Sequence, residues 1–282
     1  MRFLKHILNF YINSSIHVAL AVFSLSWLTL IEFKISYDES ILYFIFYASI
    51  TGYNFVKFFE IAKFQHLSLS IWLKWIQIFS LICFVLMCYY ALKIERNTLL
   101  IVFIFGIITF LYAVPFLPRQ KLLETSSNLR NVSGLKVFLI ALVWTGVTVY
   151  LPLINNNHVI DADVVIVSVQ RFLLVIMLML PFEIRDLQFD SLKLSTIPQK
   201  LGVNGTKIMG VILGFIFFIL EFFKKEVLLN QLLTLLIFTF ITLLFIIFSK
   251  EKQGKYYCAF WVEGLPVLWL FLVLFLLKLI FF

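Results

Sequence analysis

Three carboxylates stand close together immediately after a long apolar run: Glu183, Asp186 and Asp190, within PFEIRDLQFDSLKLSTIPQKLGVNG (Pro181–Gly205). On a continuous α-helix their i, i+3, i+7 spacing puts all three side chains on one face, with Arg185 directed to the other side. Carboxylates crowded in this way repel one another unless a cation or a basic side chain sits among them. Ionisable groups beside a membrane segment are costly when unpaired and tend to mark function. Pro198, Gly202 and Gly205 then interrupt the pattern before the next apolar run.

The elements that carry these residues are apolar helices. The chain of 282 residues is 62% hydrophobic and only 13% charged, with a mean hydropathy of +1.03 and 34 Phe against 10 Gly and 6 Pro. That composition excludes a soluble globular domain and a disordered chain. The apolar residues fall into nine blocks, about 11–31, 41–59, 75–92, 98–115, 137–154, 164–182, 208–223, 227–248 and 264–282. Each approaches the length needed to cross roughly 30 Å of hydrocarbon, with the shortest open to a re-entrant reading. Barrel strands would be short and alternating, which these runs are not. The first block follows Arg2 and Lys5 but lacks a small-residue cleavage site, so it reads as an anchor rather than a signal peptide. The expected architecture is an all-α polytopic membrane bundle of about nine helices, forming a single domain over residues 1–282.

The net charge of +8 follows from the topology and does not imply a nucleic-acid partner. Most of the 23 Lys and Arg fall on one set of alternate segments: the N-terminus and the loops near 60–74, 116–136, 183–207 and 249–263. By the positive-inside rule this places the N-terminus in and the C-terminus out, as in a bacterial inner (cytoplasmic) membrane. The segment around Asp186 then faces the cytoplasm. Cys83, Cys88 and Cys258 have no metal-ligand spacing and read as buried apolar thiols. Nucleophilic triads, Walker-type loops and GxGxxG motifs are absent, and Gly202–Gly205 is a turn without the Lys-Ser/Thr of a phosphate loop.

The run Arg185-Asp186, Asp190, Thr196-Ile197-Pro198 and Leu201-Gly202 resembles the second aspartate-rich motif of the UbiA superfamily of intramembrane prenyltransferases. Tyr112–Pro115, Leu129-Arg130, Gly134–Lys136 and Trp144 resemble that family's central loop and fifth helix. The resemblance implies a UbiA-like fold that moves an isoprenoid chain from a prenyl diphosphate to a lipophilic acceptor within the bilayer. It implies that Asp186 and Asp190, with Glu183 as a third ligand, hold Mg²⁺ against the diphosphate, an arrangement suited to an oxygen-seeking ion. Arg119, Lys121, Arg130, Lys136 and Arg185 are then the expected substrate contacts.

The family's first motif, Asn-Asp-x-x-Asp-x-x-x-Asp, is altered. Asn54 is in register, but Phe55, Phe58 and Ala62 stand where aspartates belong. Lys57 and Glu60 are nearby and out of register. Two readings follow. Lys57 replaces a metal, so that Asn54 and Lys57 face Asp186 and Asp190 as catalytic residues. Alternatively, the chain is a catalytically inactive relative that binds lipid or scaffolds partners.

Overall fold

A chain surrounded by hydrocarbon must satisfy its backbone N–H and C=O groups internally, and helices do so within one segment. The computed structural model describes residues 2–64, 71–113, 135–188 and 195–280, and these residues are helical apart from short connections. The helices are α1 (Arg2–Asn13), α2 (Ile16–Glu32), α3 (Glu39–Phe64), α4 (Ile71–Ala91), α5 (Arg96–Ala113), α6 (Leu135–Thr145), α7 (Leu151–Asn155), α8 (Ala162–Asp186), α9 (Ile197–Ile219), α10 (Leu229–Ile247) and α11 (Leu265–Ile280). Each of the nine apolar blocks coincides with a helix, the fifth being α6 and α7 joined through a π-helical turn at Gly146–Tyr150. Pro152, which cannot donate to the residue four before it, follows that turn directly.

The expected count of about nine spans is not confirmed. Among the described residues, six helices are long and apolar enough to cross a membrane, or seven if α1 and α2, bent by 58°, form one span. The apolar stretch Arg96–Tyr112 of α5 is too short for that count. In α3, Thr51, Asn54 and Lys57 dilute an otherwise apolar run. The chain is an all-helical integral membrane protein.

Two compact units divide the chain: residues 1–130 with 150–158, and residues 131–149 with 159–282. In the first, α2 is buried nearly all round and packs on α3, which packs in turn on α4. Small residues permit the close approach, as membrane helices require. Ala19 is fully buried against Ile50 and Cys83. At the far ends of α2 and α3, Asp38 starts α3 by accepting from the amides of Ser40 and Ile41. Its other oxygen accepts from Asn155 and Asn156, at 2.7 and 3.0 Å. The thiols divide, with Cys83 and Cys258 buried and Cys88, on α4, exposed.

In the second unit α8 is the central helix, contacted by α6, α9 and α10. Gly210 and Gly214 lie one turn apart on α9. A Cβ at Gly210 would come within 2.8 Å of Ile246 and 3.0 Å of Leu180, and one at Gly214 within 2.7 Å of Leu243. The small-xxx-small pair therefore lets α9 sit against α8 and α10 together. Phe238 stacks on Trp269 at 4.5 Å with Phe217 edge-on to both, which joins α9, α10 and α11.

The hydroxyls of Ser26, Thr29, Thr145, Ser168, Thr206, Thr239 and Thr242 each donate to the carbonyl four residues earlier. They thus sit in apolar spans without a buried unpaired group. Gly202 breaks the first turns of α9 with φ 70° and ψ 170°, a backbone conformation reserved in practice for glycine. A Cβ there would meet nothing within 4 Å, so the cost of a side chain is conformational. Gly202→Ala is expected to lower stability by about 1–3 kcal/mol, read as a fall in detergent-solubilised melting temperature.

Candidate functional site

The last turn of α8 carries two of the three carboxylates. A helix C-terminus bears a partial negative charge, so carboxylates there require cations. The chain supplies two. Glu183 is 1% exposed, and its Oε1 accepts from Lys136 Nζ at 2.8 Å, a pair that joins the first turn of α6 to α8. Arg185 Nε donates to Asp186 Oδ1 at 2.8 Å, and its guanidinium lies 5.2 Å from the Phe182 ring centre. These two side chains are 34% and 27% exposed.

The expectation for this segment is corrected in two respects. Arg185 does not point away from the acidic face but closes on its neighbour Asp186. The single stripe of three carboxylates is not carried by α8, because the helix ends at Asp186. Asp190 lies outside the described residues, as do Arg119, Lys121 and Arg130.

Among the described residues, no group of three His, Cys, Asp or Glu side chains could hold a metal ion. Glu183 does not fit as a Mg²⁺ ligand, since it is buried and bound to Lys136. Asp186, part-exposed and bound to Arg185, and Glu263, whose charge also acts on Arg185, are the described carboxylates near this end of α8, and among the described residues they do not amount to a Mg²⁺ site.

Asn54 and Lys57, in the first unit, are placed by a different requirement. The break between α1 and α2 puts Ser15 in the left-handed region, φ 64°, and takes the last carbonyls of α1 out of the helical ladder. Asn54 repairs this. Its Nδ2 donates to Ser14 O at 3.1 Å and to Ser80 Oγ at 2.7 Å, and its Oδ1 accepts from Ser15 Oγ at 2.7 Å. Lys57, one turn along α3, donates to Asn13 O at 3.1 Å. A cation at a helix C-terminus is favoured by the helix dipole. The break is thus tied to α3 and α4 by the residue that is in register with the family's first motif.

Sequence reasoning missed two groupings in the second unit. At the start of the loop after α10, Gln253 and Glu251 reach Pro181 and Gln188 at the end of α8. Toward the opposite end of α8, Gln170 donates to Phe217 O and to Glu221 Oε2, at 3.1 and 3.0 Å. Glu221 also holds Lys224 at 2.6 Å, both side chains being almost fully buried. Arg171, next along α8, is buried with its guanidinium 5.5 Å from the Trp269 ring centre. The only advance signal for these partners was polar residues lying inside or at the ends of apolar blocks.

The architecture has a counterpart of known structure. A solved structure of a digeranylgeranylglyceryl phosphate synthase, described in membranes, is similar over 98% of this chain and 97% of its own, with a TM-score of 0.54 at 16% identity. The two share a fold. Compared by sequence, the chain matches no family model and no curated protein.

Proposed function

We propose that the protein is an intramembrane prenyltransferase that moves an isoprenoid chain from a prenyl diphosphate to a lipophilic acceptor. The observation that carries the reading is the cluster at the end of α8, where Lys136, Glu183, Arg185 and Asp186 are gathered at one end of an otherwise apolar bundle. It falls on the stretch that resembles the family's second aspartate-rich motif. The fold shared with a digeranylgeranylglyceryl phosphate synthase supports the same class of chemistry.

In this reading Glu183 holds Lys136 in place and is withdrawn from metal binding. Asp186 and Asp190 are the carboxylates left for Mg²⁺, and Arg119, Lys121, Arg130 and Arg185 are the cations for the diphosphate. The distribution of Lys and Arg supports a cytoplasmic side for this end of the bundle. Asn54 and Lys57 act indirectly, by holding the α1–α2 break.

The test uses the purified full chain in lipid nanodiscs with a radiolabelled prenyl diphosphate, Mg²⁺ and a membrane lipid extract as the acceptor pool. The expected results are label in a new lipophilic product and released diphosphate. Saturating donor with Mg²⁺ should also raise the melting temperature, by linkage of binding to folding. A shift with donor but no product indicates the non-catalytic, lipid-binding relative. No shift and no product at saturating donor overturns the proposal.

A further inference from the structure

Pro181 lies inside α8, a little over one turn before Asp186. A proline there withholds one backbone donor from the helical ladder and loosens the turns around it. The segment after α10 braces this weak point. Gln253 Nε2 donates to the Pro181 carbonyl at 3.2 Å and, with its second hydrogen, to Cys258 Sγ at 2.8 Å. Gln188, just beyond α8, donates to Glu251 O at 2.9 Å. These contacts lie on either side of Arg185 and Asp186 in the chain.

The brace is itself anchored. Tyr257 Oη donates to Phe245 O of α10 at 2.6 Å, and Cys258 is buried. Both residues begin the π-helical turns Tyr257–Val262, a geometry frequent at functional sites.

We propose that Gln253 is a positioning residue that holds the last turn of α8, and so presents the Arg185–Asp186 pair at one fixed angle to the diphosphate of the substrate. The inference rests on the prenyltransferase reading above. Gln253 acts through the Pro181 carbonyl. An amide is required because both of its hydrogens are used, one on a carbonyl and one on a thiol. A glutamate of the same size would turn acceptor oxygens toward the Pro181 carbonyl.

Gln253→Glu is therefore the primary variant, since it keeps the volume and inverts the contact; Gln253→Ala also opens a gap. Two readouts are taken on the full-length protein in nanodiscs. Amide hydrogen exchange over 182–188 should speed up by about tenfold in Gln253→Glu, while α10 exchanges as in the wild type. In the transfer assay kcat should fall about tenfold with KM for the prenyl diphosphate within twofold, the mark of lost orientation rather than lost binding. Gln253→Asn, which keeps the donors, should recover part of both.

Wild-type exchange at 182–188 in Gln253→Glu overturns the inference, and so does a raised KM with unchanged kcat. If the wild-type protein transfers nothing, the prenyltransferase reading fails separately, and the exchange measurement alone decides whether Gln253 holds the turn.

Discussion

Glu221→Ala is expected to lower the stability of the protein by about 3–5 kcal/mol, the usual cost of stranding the partner of a buried ion pair. Lys224 and Glu221 are 2.6 Å apart, with side-chain exposures of 7% and 4%. The same Glu221 oxygen accepts from Gln170 of α8 at 3.0 Å. Removing the carboxylate takes from the buried Lys224 ammonium its partner at 2.6 Å and deprives a Gln170 amide hydrogen of its acceptor. For a chain of this size the melting temperature in detergent should fall by roughly 10 °C. The double variant Glu221→Leu/Lys224→Met removes both charges and should recover most of the loss, because well-packed apolar side chains often replace a buried pair at little cost. A single variant within about 1 kcal/mol of wild type would mean that the pair behaves as a surface ion pair.

The second large effect concerns activity. Asp186→Asn is expected to reduce prenyl transfer by at least about 100-fold, in the range seen when one electrostatic contact to a transition state is lost. Its effect on stability should be small. Asp186 is 27% exposed and Arg185 34%, so their pair has the modest worth of a surface ion pair. Glu183→Gln should show the opposite balance. Glu183 is buried against Lys136, and neutralising it removes the charge opposite a half-buried ammonium. The melting temperature should then fall clearly, and transfer should fall less than in Asp186→Asn at a temperature where both variants are folded. The reverse pattern, with Glu183→Gln inactive but stable, would return Glu183 to the group of metal ligands. Melting curves and single-turnover transfer rates on the same preparations separate the two cases.

Both predictions depend on partners that are far apart in sequence. The helices themselves were legible without them. A single membrane span satisfies its backbone within itself as a helix, so a long apolar run implies a helix wherever it packs, and all nine blocks are helical over their described residues. Pro198 and Gly202 do not stop a helix as expected: Pro198 stands in the first turn of α9 and Gly202 kinks it, although both effects are local ones, since proline restricts and glycine frees the backbone. The carboxylates at the end of α8 stood out because charge is rare in such a chain.

What the sequence could not specify was the partner of each polar group. Asn54 was in register with a catalytic motif, yet it bonds Ser14, Ser15 and Ser80 across three helices. Lys136 could equally have been a substrate contact or, as found, the counter-ion of Glu183, 47 residues away. Gln170 and Glu221 gave no hint of each other across 51 residues. In an apolar interior an unpaired donor or charge is expensive, so each such group is driven to a partner, but many partners are chemically equivalent. Composition and periodicity therefore determine that these side chains must be satisfied and that their helices span the membrane. Only the packing of α3 on the α1–α2 break, of α6 on α8, and of the 249–256 segment over Pro181 decides which of them meet, since that choice depends on distances between helices that no local pattern encodes.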